Sequence, residues 1–282
     1  MKILGDVLKL AAQYLKERND SNPRRHAEDL LSCVLKEPRL NLYLQFDRPL
    51  QEDELTSYRA LLKRKATGEP FEYICGKTSF FGCELLVTPD VLIPRPETEV
   101  LLEKACDRIK GDSLAEKSAW DLCCGSGCIG LGLKKRFPEL AVSLSDLSEP
   151  AILIAKENSK KNQLDVELLC GDLLSVFQGR KADYIFCNPP YISKKEYESL
   201  DRSVKDFEPA LALVGGVSGL AFYERLSKEL PSCLQPHAQV FIEIGTGQGE
   251  AVLDLFGAGH WKAKRVEKDW AGHDRFFFLE FE

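Results

Sequence analysis

Asn188-Pro189-Pro190-Tyr191 carries the most definite chemistry in this 282-residue sequence. The apolar run Ala182-Asp183-Tyr184-Ile185-Phe186-Cys187 before it predicts a strand. Two consecutive prolines then end sheet pairing, because neither has an N–H to donate. The tetrapeptide is therefore expected at the carboxyl end of a strand, where open α/β sheets keep their sites. One side-chain amide followed by rigid backbone holds an amide and two carbonyl oxygens in a fixed array. That array suits the gripping of a planar NH2 group with its nitrogen turned toward an electrophile. A plain Asn-Pro turn would explain two of the residues. All four at the end of a strand, downstream of a glycine loop, favour a catalytic and substrate-binding role for Asn188, Pro189, Pro190 and Tyr191.

The glycine loop is Asp121-Leu122-Cys123-Cys124-Gly125-Ser126-Gly127-Cys128-Ile129. Gly125 and Gly127 permit positive φ and close approach of a ligand to the backbone. The helix that follows offers unpaired amides at its start. By itself such a loop is a tight strand-to-helix turn. Two acidic residues at later strand ends give it meaning. Asp146 follows Ala141-Val142-Ser143-Leu144-Ser145 and can accept both hydroxyls of a ribose. Asp172 follows Val166-Glu167-Leu168-Leu169-Cys170 and can accept an adenine amino group, while Leu173 packs on the ring. Singly, each acid reads as a solvated loop residue. With the glycine loop and Asn188 they mark four strand ends and predict a nucleoside site. No GKS or GKT follows the loop, which argues against a phosphate-binding loop.

Elements that could position these residues can be read from the periodicity. Residues 1–68 predict a small helical domain. Ile3, Leu4, Val7, Leu8, Ala11, Ala12 and Leu15 form one helical stripe, and Ala27, Leu30, Leu31, Val34 and Leu35 form a second behind Asn22-Pro23. Leu55, Tyr58, Leu61 and Leu62 form a third, ended by Gly68. Residues 69–100 predict a hairpin of Tyr73-Ile74 with Glu84–Val87 about Phe80-Phe81-Gly82, then an extended linker. Pro94 and Pro96 make that linker stiff. It is either a plain spacer or a wall of the site that contributes Arg95 and Glu97 or Glu99. Residues 101–282 alternate strand and helix, with further strands at Ala119–Leu122, Gln239–Ile244 and Arg275–Phe281, and helices near 128–137, 150–162 and 219–230. Alternation of this kind predicts a mostly parallel α/β sheet covered on both faces.

The charge balance is acidic, with 38 basic against 44 acidic residues and a formal net charge of -6. Such a protein has no general attraction for nucleic-acid phosphates. No run of apolar residues is long enough to span a membrane, and the start of the sequence lacks an export signal. A cytoplasmic location is expected, and with it reduced thiols for the ten cysteines. Cys123, Cys124 and Cys128 lie together, yet no histidine or second cysteine pair has ligand spacing. They read as packing residues, and no metal is expected.

Taken together, the loop, the three later strand-end positions and Asn-Pro-Pro-Tyr resemble a class I S-adenosylmethionine-dependent methyltransferase. The segment from Ile93 to Glu99, the helical N-terminal domain and Asp269-Trp270-Ala271-Gly272-His273-Asp274-Arg275 resemble the PrmC/HemK family. The resemblance covers nearly the whole chain. It implies a Rossmann-like seven-stranded sheet with an antiparallel C-terminal strand and an N-terminal helical bundle that docks a protein. It implies S-adenosyl-L-methionine as cofactor, held by Asp121, residues 123–127, Asp146, Asp172, Leu173 and Asn188. It implies methylation of the glutamine amide nitrogen in the Gly-Gly-Gln loop of peptide chain release factors, bound by residues 188–191 with Arg95 and Glu97. Cys123 stands where this motif often has its first glycine. A Cys enters left-handed backbone only at a cost, so negative φ is expected there. Two other readings share the motif: an adenine or guanine N-methyltransferase acting on DNA or RNA, and a non-enzymatic nucleotide-binding module.

Overall fold

The computed structural model describes residues 2–257 and 259–282. The chain forms two compact units, Met1–Gly76 with Asp201–Phe207, and Lys77–Leu200 with Glu208–Glu282. The first is helical: α1 (Leu4–Lys16), α2 (Pro23–Leu35), α3 (Arg39–Tyr43), α4 (Glu52–Ala66) and α5 (Phe71–Cys75). Its core is the expected set of stripes, with Leu4, Leu15, Leu30 and Leu31 fully enclosed. Tyr58 is buried among them and donates to the carbonyl of Ala27 at 2.7 Å. Pro23 opens α2, but Asn22 makes no side-chain cap.

Two expectations fail in this unit. Tyr73 and Ile74 are not strand residues: Pro70 starts and Gly76, at φ 71, stops a single helical turn that buries both side chains. The cysteines are not all free either. Cys33 near the end of α2 and Cys75 at the end of α5 form a disulfide, their Cα atoms 6.3 Å apart, within the range a bridge needs.

The second unit begins with a hairpin, β1 (Lys77–Phe80) and β2 (Cys83–Leu86), turning at Phe81-Gly82. Then follow α6 (Pro96–Ile109), β3 (Ser118–Leu122), α7 (Cys128–Arg136), β4 (Ala141–Asp146), α8 (Glu149–Asn162), β5 (Glu167–Cys170) and β6 (Ala182–Cys187). After α9 (Lys194–Glu198) and α10 (Arg202–Lys205), the latter in the first unit, come α11 (Ala221–Glu229), β7 (Leu234–Glu243), α12 (Gly249–Leu255), β8 (Trp261–Lys268) and β9 (Asp274–Phe281).

The seven-stranded sheet has the order β5-β4-β3-β6-β7-β9-β8. β3 to β7 pair in parallel, and β9 runs antiparallel to β7 and β8. Side chains alternate across β3: Ala119 joins a core with Leu144, Phe186 and Phe241, whereas Trp120 and Leu122 join one with Ile185, Tyr223 and Phe277. Trp120 stacks on Phe177 at 4.0 Å. Each such burial contributes about 1.5–3 kcal/mol, which fixes the strands rigidly. The chain leaves β3 toward β4 and β5, then returns to add β6 on the other side. This reversal opens a crevice at the carboxyl ends of β3 and β6. Leu122 is level with Ser145 and Cys187, so the loops that begin at Cys123, Asp146 and Asn188 emerge side by side.

Candidate active site

A cavity with an empty volume of about 1000 Å³ lies over those strand ends. Cys123, Cys124, Gly125 and Ser126 line it from the first loop, Asp146 from the second, and Asp172 and Leu173 from the third. Asn188 and Pro190 line it from the fourth, and Arg95 from the linker. The remaining candidates do not line it. Asp121 is enclosed beneath the loop, Gly127 turns the chain into α7 at φ 81, Glu97 lies on α6, and Pro189 and Tyr191 are set behind Asn188.

The loop is held by carboxylates. Asp146 accepts from the Gly125 amide at 2.9 Å and from the Ser148 amide at 2.9 Å. Burial raises its pKa above the ordinary range while these amides hold it down. Asp121 accepts from Gly130 at 2.8 Å, and its other oxygen has no partner among the described residues. Burial pushes it up to about 7, against the pull of the Gly130 amide. Asn158, fully buried on α8, donates to the carbonyl of Ser126 at 2.9 Å and so ties the loop to α8.

Cys123 corrects an expectation. Its φ is 56, not negative. The amide of Cys124 donates to Ser145 at 2.9 Å, which pins the chain to the strand-end level and forces the residue before it to turn left-handed. The loop keeps its glycine-type geometry, and Cys123 accepts the strain.

Arg95 lines the cavity with one face and donates to Glu208 at 2.5 Å with the other. Glu208 is 5% exposed and also accepts from the Ile93 amide, so the pair braces the linker. Glu99 turns away and accepts from Phe81 at the hairpin.

Two residues behind Asn188 were not in the predicted set. The Asn188 side-chain NH2 donates to Thr98 Oγ1 at 3.1 Å, and Thr98 donates to Glu243 Oε2 at 2.6 Å. Tyr191 donates to Glu243 Oε1 at 3.3 Å. The phenol therefore faces Glu243, not the cavity. Glu243 is 1% exposed, and burial pushes it up to about 7, against the Thr98 bond, Arg275 and Tyr191. One signal pointed to it: a carboxylate inside Val240-Phe241-Ile242-Glu243-Ile244, on a strand covered on both faces, must find buried partners.

The donor set fits a nucleoside. Asp146 and Asp172 accept, Leu173 is apolar, and nothing lies within 4 Å of where a Cβ at Gly125 would stand. The Ser145 hydroxyl, also on the cavity, is buried without a partner among the described residues. No group of three metal-ligating side chains occurs among the described residues.

Comparison with known proteins places this geometry. Release factor glutamine methyltransferase of Chlamydia trachomatis serovar L2 is 42% identical over 275 residues, covering 97% of this chain and 93% of that protein. The chain belongs to the release factor glutamine methyltransferase family. The enzyme of the same name from Geobacter sulfurreducens is 38% identical, covering 89% of this chain and 87% of its own length. A methyltransferase small domain model matches residues 97–215, and a PrmC N-terminal domain model matches residues 6–76. A methyltransferase structure from Pyrococcus furiosus shares the fold, with a TM-score of 0.53, 18% identity and coverage of 80% of this chain and 98% of that one. No described helix is long and apolar enough to cross a membrane.

Proposed function

We propose that this chain methylates the side-chain amide nitrogen of the glutamine in the Gly-Gly-Gln loop of peptide chain release factors, with S-adenosyl-L-methionine as donor. Similarity to enzymes of that name over almost the whole chain carries the reading. It favours a protein acceptor over an adenine or guanine of DNA or RNA. A translation factor as substrate supports a cytoplasmic location.

The cofactor supplies an electrophilic methyl group when bound. Asp146, Asp172, Leu173 and the Cys123–Gly127 loop would hold it. The rest is work for the chain's own dipoles. An amide nitrogen is a poor nucleophile because its lone pair is delocalised into the carbonyl. Asn188, tethered by its NH2, keeps Oδ1 free to accept one N–H of the glutamine. A backbone carbonyl takes the other. Pro189 or Pro190 supplies it in this reading, and of the two Pro190 lines the cavity. Fixed acceptors of this kind stabilise positive charge as it develops on nitrogen and need no reorganisation. They also hold the amide in line for transfer. Tyr191 and Arg95 act around that grip, Tyr191 by bracing Glu243 and Arg95 at the cavity wall.

Asn188→Ala should lower the single-turnover rate on intact release factor by about 10²-fold and change cofactor affinity far less. A rate near wild type would remove Asn188 from the grip.

A further inference from the structure

We infer that Glu243 is a positioning residue which, through Thr98, fixes which end of the Asn188 amide faces the cavity. The inference rests on the methyl-transfer reading and adds to it the means by which the catalytic acceptor is oriented.

An asparagine amide can sit in its pocket in two ways related by a half-turn. One presents oxygen to the acceptor nitrogen. The other presents NH2, which cannot receive an N–H. Nothing in the Asn188 side chain chooses between them. The choice is made behind it. Thr98 is 2% exposed and has one hydroxyl proton. A carboxylate at Glu243 only accepts, so that proton goes to Glu243 Oε2, 2.6 Å away. The Thr98 oxygen can then only accept, and the group at 3.1 Å must be the NH2 of Asn188. Polarity therefore runs from Asn188 through Thr98 to Glu243, and Oδ1 is left for the substrate.

Glu243 is walled in from several elements. Arg275 acts on it from β9, Glu97 from α6, Cys128 from α7 and Tyr191 from the loop after β6. Tyr223 on α11 donates to its backbone carbonyl at 3.1 Å. Glu97 opposes its ionisation, and Arg275 and the Tyr191 hydroxyl favour it. None of these groups lies between Thr98 and Glu243. When Glu243 takes a proton it can donate to Thr98, and Thr98 can then donate to Asn188 Oδ1. The polarity reverses and the acceptor is withdrawn from the cavity. Activity should thus fall as pH falls through about 7, the value to which burial pushes Glu243.

The experiment uses the full-length protein, intact release factor and labelled S-adenosylmethionine. Thr98→Val should lower the single-turnover rate roughly 10- to 100-fold, the scale seen when a group orienting an active residue from behind is removed. Cofactor affinity by calorimetry should hold. Thr98→Ser, which keeps the hydroxyl, should restore most of the rate. Glu243→Gln should abolish the acid limb of the wild-type pH profile. The Asn188 side-chain NH2 resonances, followed by 15N NMR, should move with the Glu243 titration in the wild type and not in Thr98→Val. This last readout stands whatever the methyl acceptor is. A wild type that leaves release factor unmethylated would count against the functional reading, and the NMR titration would still decide the inference. Equal rates in Thr98→Val and Thr98→Ser, an acid limb that persists in Glu243→Gln, or NH2 resonances that ignore pH would each overturn it. The limb would then belong elsewhere, Asp121 being the other buried acid raised to about 7. Should Glu243→Gln fold poorly, the Thr98 pair and the wild-type titration decide.

Discussion

Asp146 both lines the cavity and clamps the glycine loop that walls it. It is legible as a carboxylate after a strand, and its bond to the Ser148 amide two residues on is a local turn; that it also clamps Gly125 is not legible, because that amide comes from a different loop. Asp146→Ala should weaken cofactor binding by roughly 1.5–3 kcal/mol, the scale of lost hydrogen bonds to a charged group. Calorimetry with unchanged affinity in a folded variant would exclude Asp146 from the cofactor site. Cys123 shows the opposite limit. Its side chain suggested negative φ, and the strand-end hydrogen bond of its neighbour decided otherwise. Local propensity lost to a tertiary tie. Cys123→Gly should therefore bind cofactor as the wild type does. Cys123→Val, with a branched Cβ at positive φ, should unfold at lower temperature and bind more weakly. A Val variant equal to wild type in both measurements would mean that the loop relaxes and the strain is not held.

At the level of elements, β3, β4 and β6 were legible because they are short, mostly apolar and largely buried. β8 was not. It is an edge strand whose Trp261-Lys262-Ala263-Lys264-Arg265-Val266-Glu267-Lys268 alternates charge with short apolar residues and is half exposed throughout. The single turn α5 was hidden by Tyr and Ile, which favour strands in isolation, between a proline and a glycine that set the actual outcome. The loop after β6 depends on a packing that no motif reveals. Ile192 donates to Leu213 at 2.9 Å and accepts from Gly215 at 2.9 Å, and Gln248 donates to the Tyr191 carbonyl at 3.0 Å. Gly215 is needed for proximity, because a Cβ there would meet the Pro190 oxygen at 2.3 Å. Gly215→Ala should push the Pro189-Pro190 backbone off its position and lower the transfer rate, by up to about 10²-fold for a displacement near 1 Å. Cofactor affinity measured by calorimetry should stay close to wild type. A fall confined to affinity would place Gly215 with the cofactor, not with the grip.

Across the whole molecule, the division into a helical and an α/β unit could be read from the change of period, but its course could not. Asp201–Phe207 returns to the first unit long after the chain has left it. That segment contributes Phe207, whose ring lies 3.9 Å from where a Cβ at Gly68 would stand, and a four-residue helix too short to show periodicity. A truncation at Gly68 would thus strand a piece of the first unit's packing, so substrate preference is better tested with the intact chain. The amide grip fits any planar NH2 and does not by itself select a protein. Selection has to come from surface, and a short glutamine peptide offers little area with which to offset the entropy of association. The net charge of -6 gives no help to a phosphate-rich partner. Intact release factor should accordingly be methylated at a far lower Michaelis constant than an isolated Gly-Gly-Gln loop peptide, with turnover at saturation much less different. Duplex DNA should take no label. A peptide as good as the intact factor would mean that recognition ends at the cavity, and that the helical unit, proposed as a docking surface, serves some other purpose.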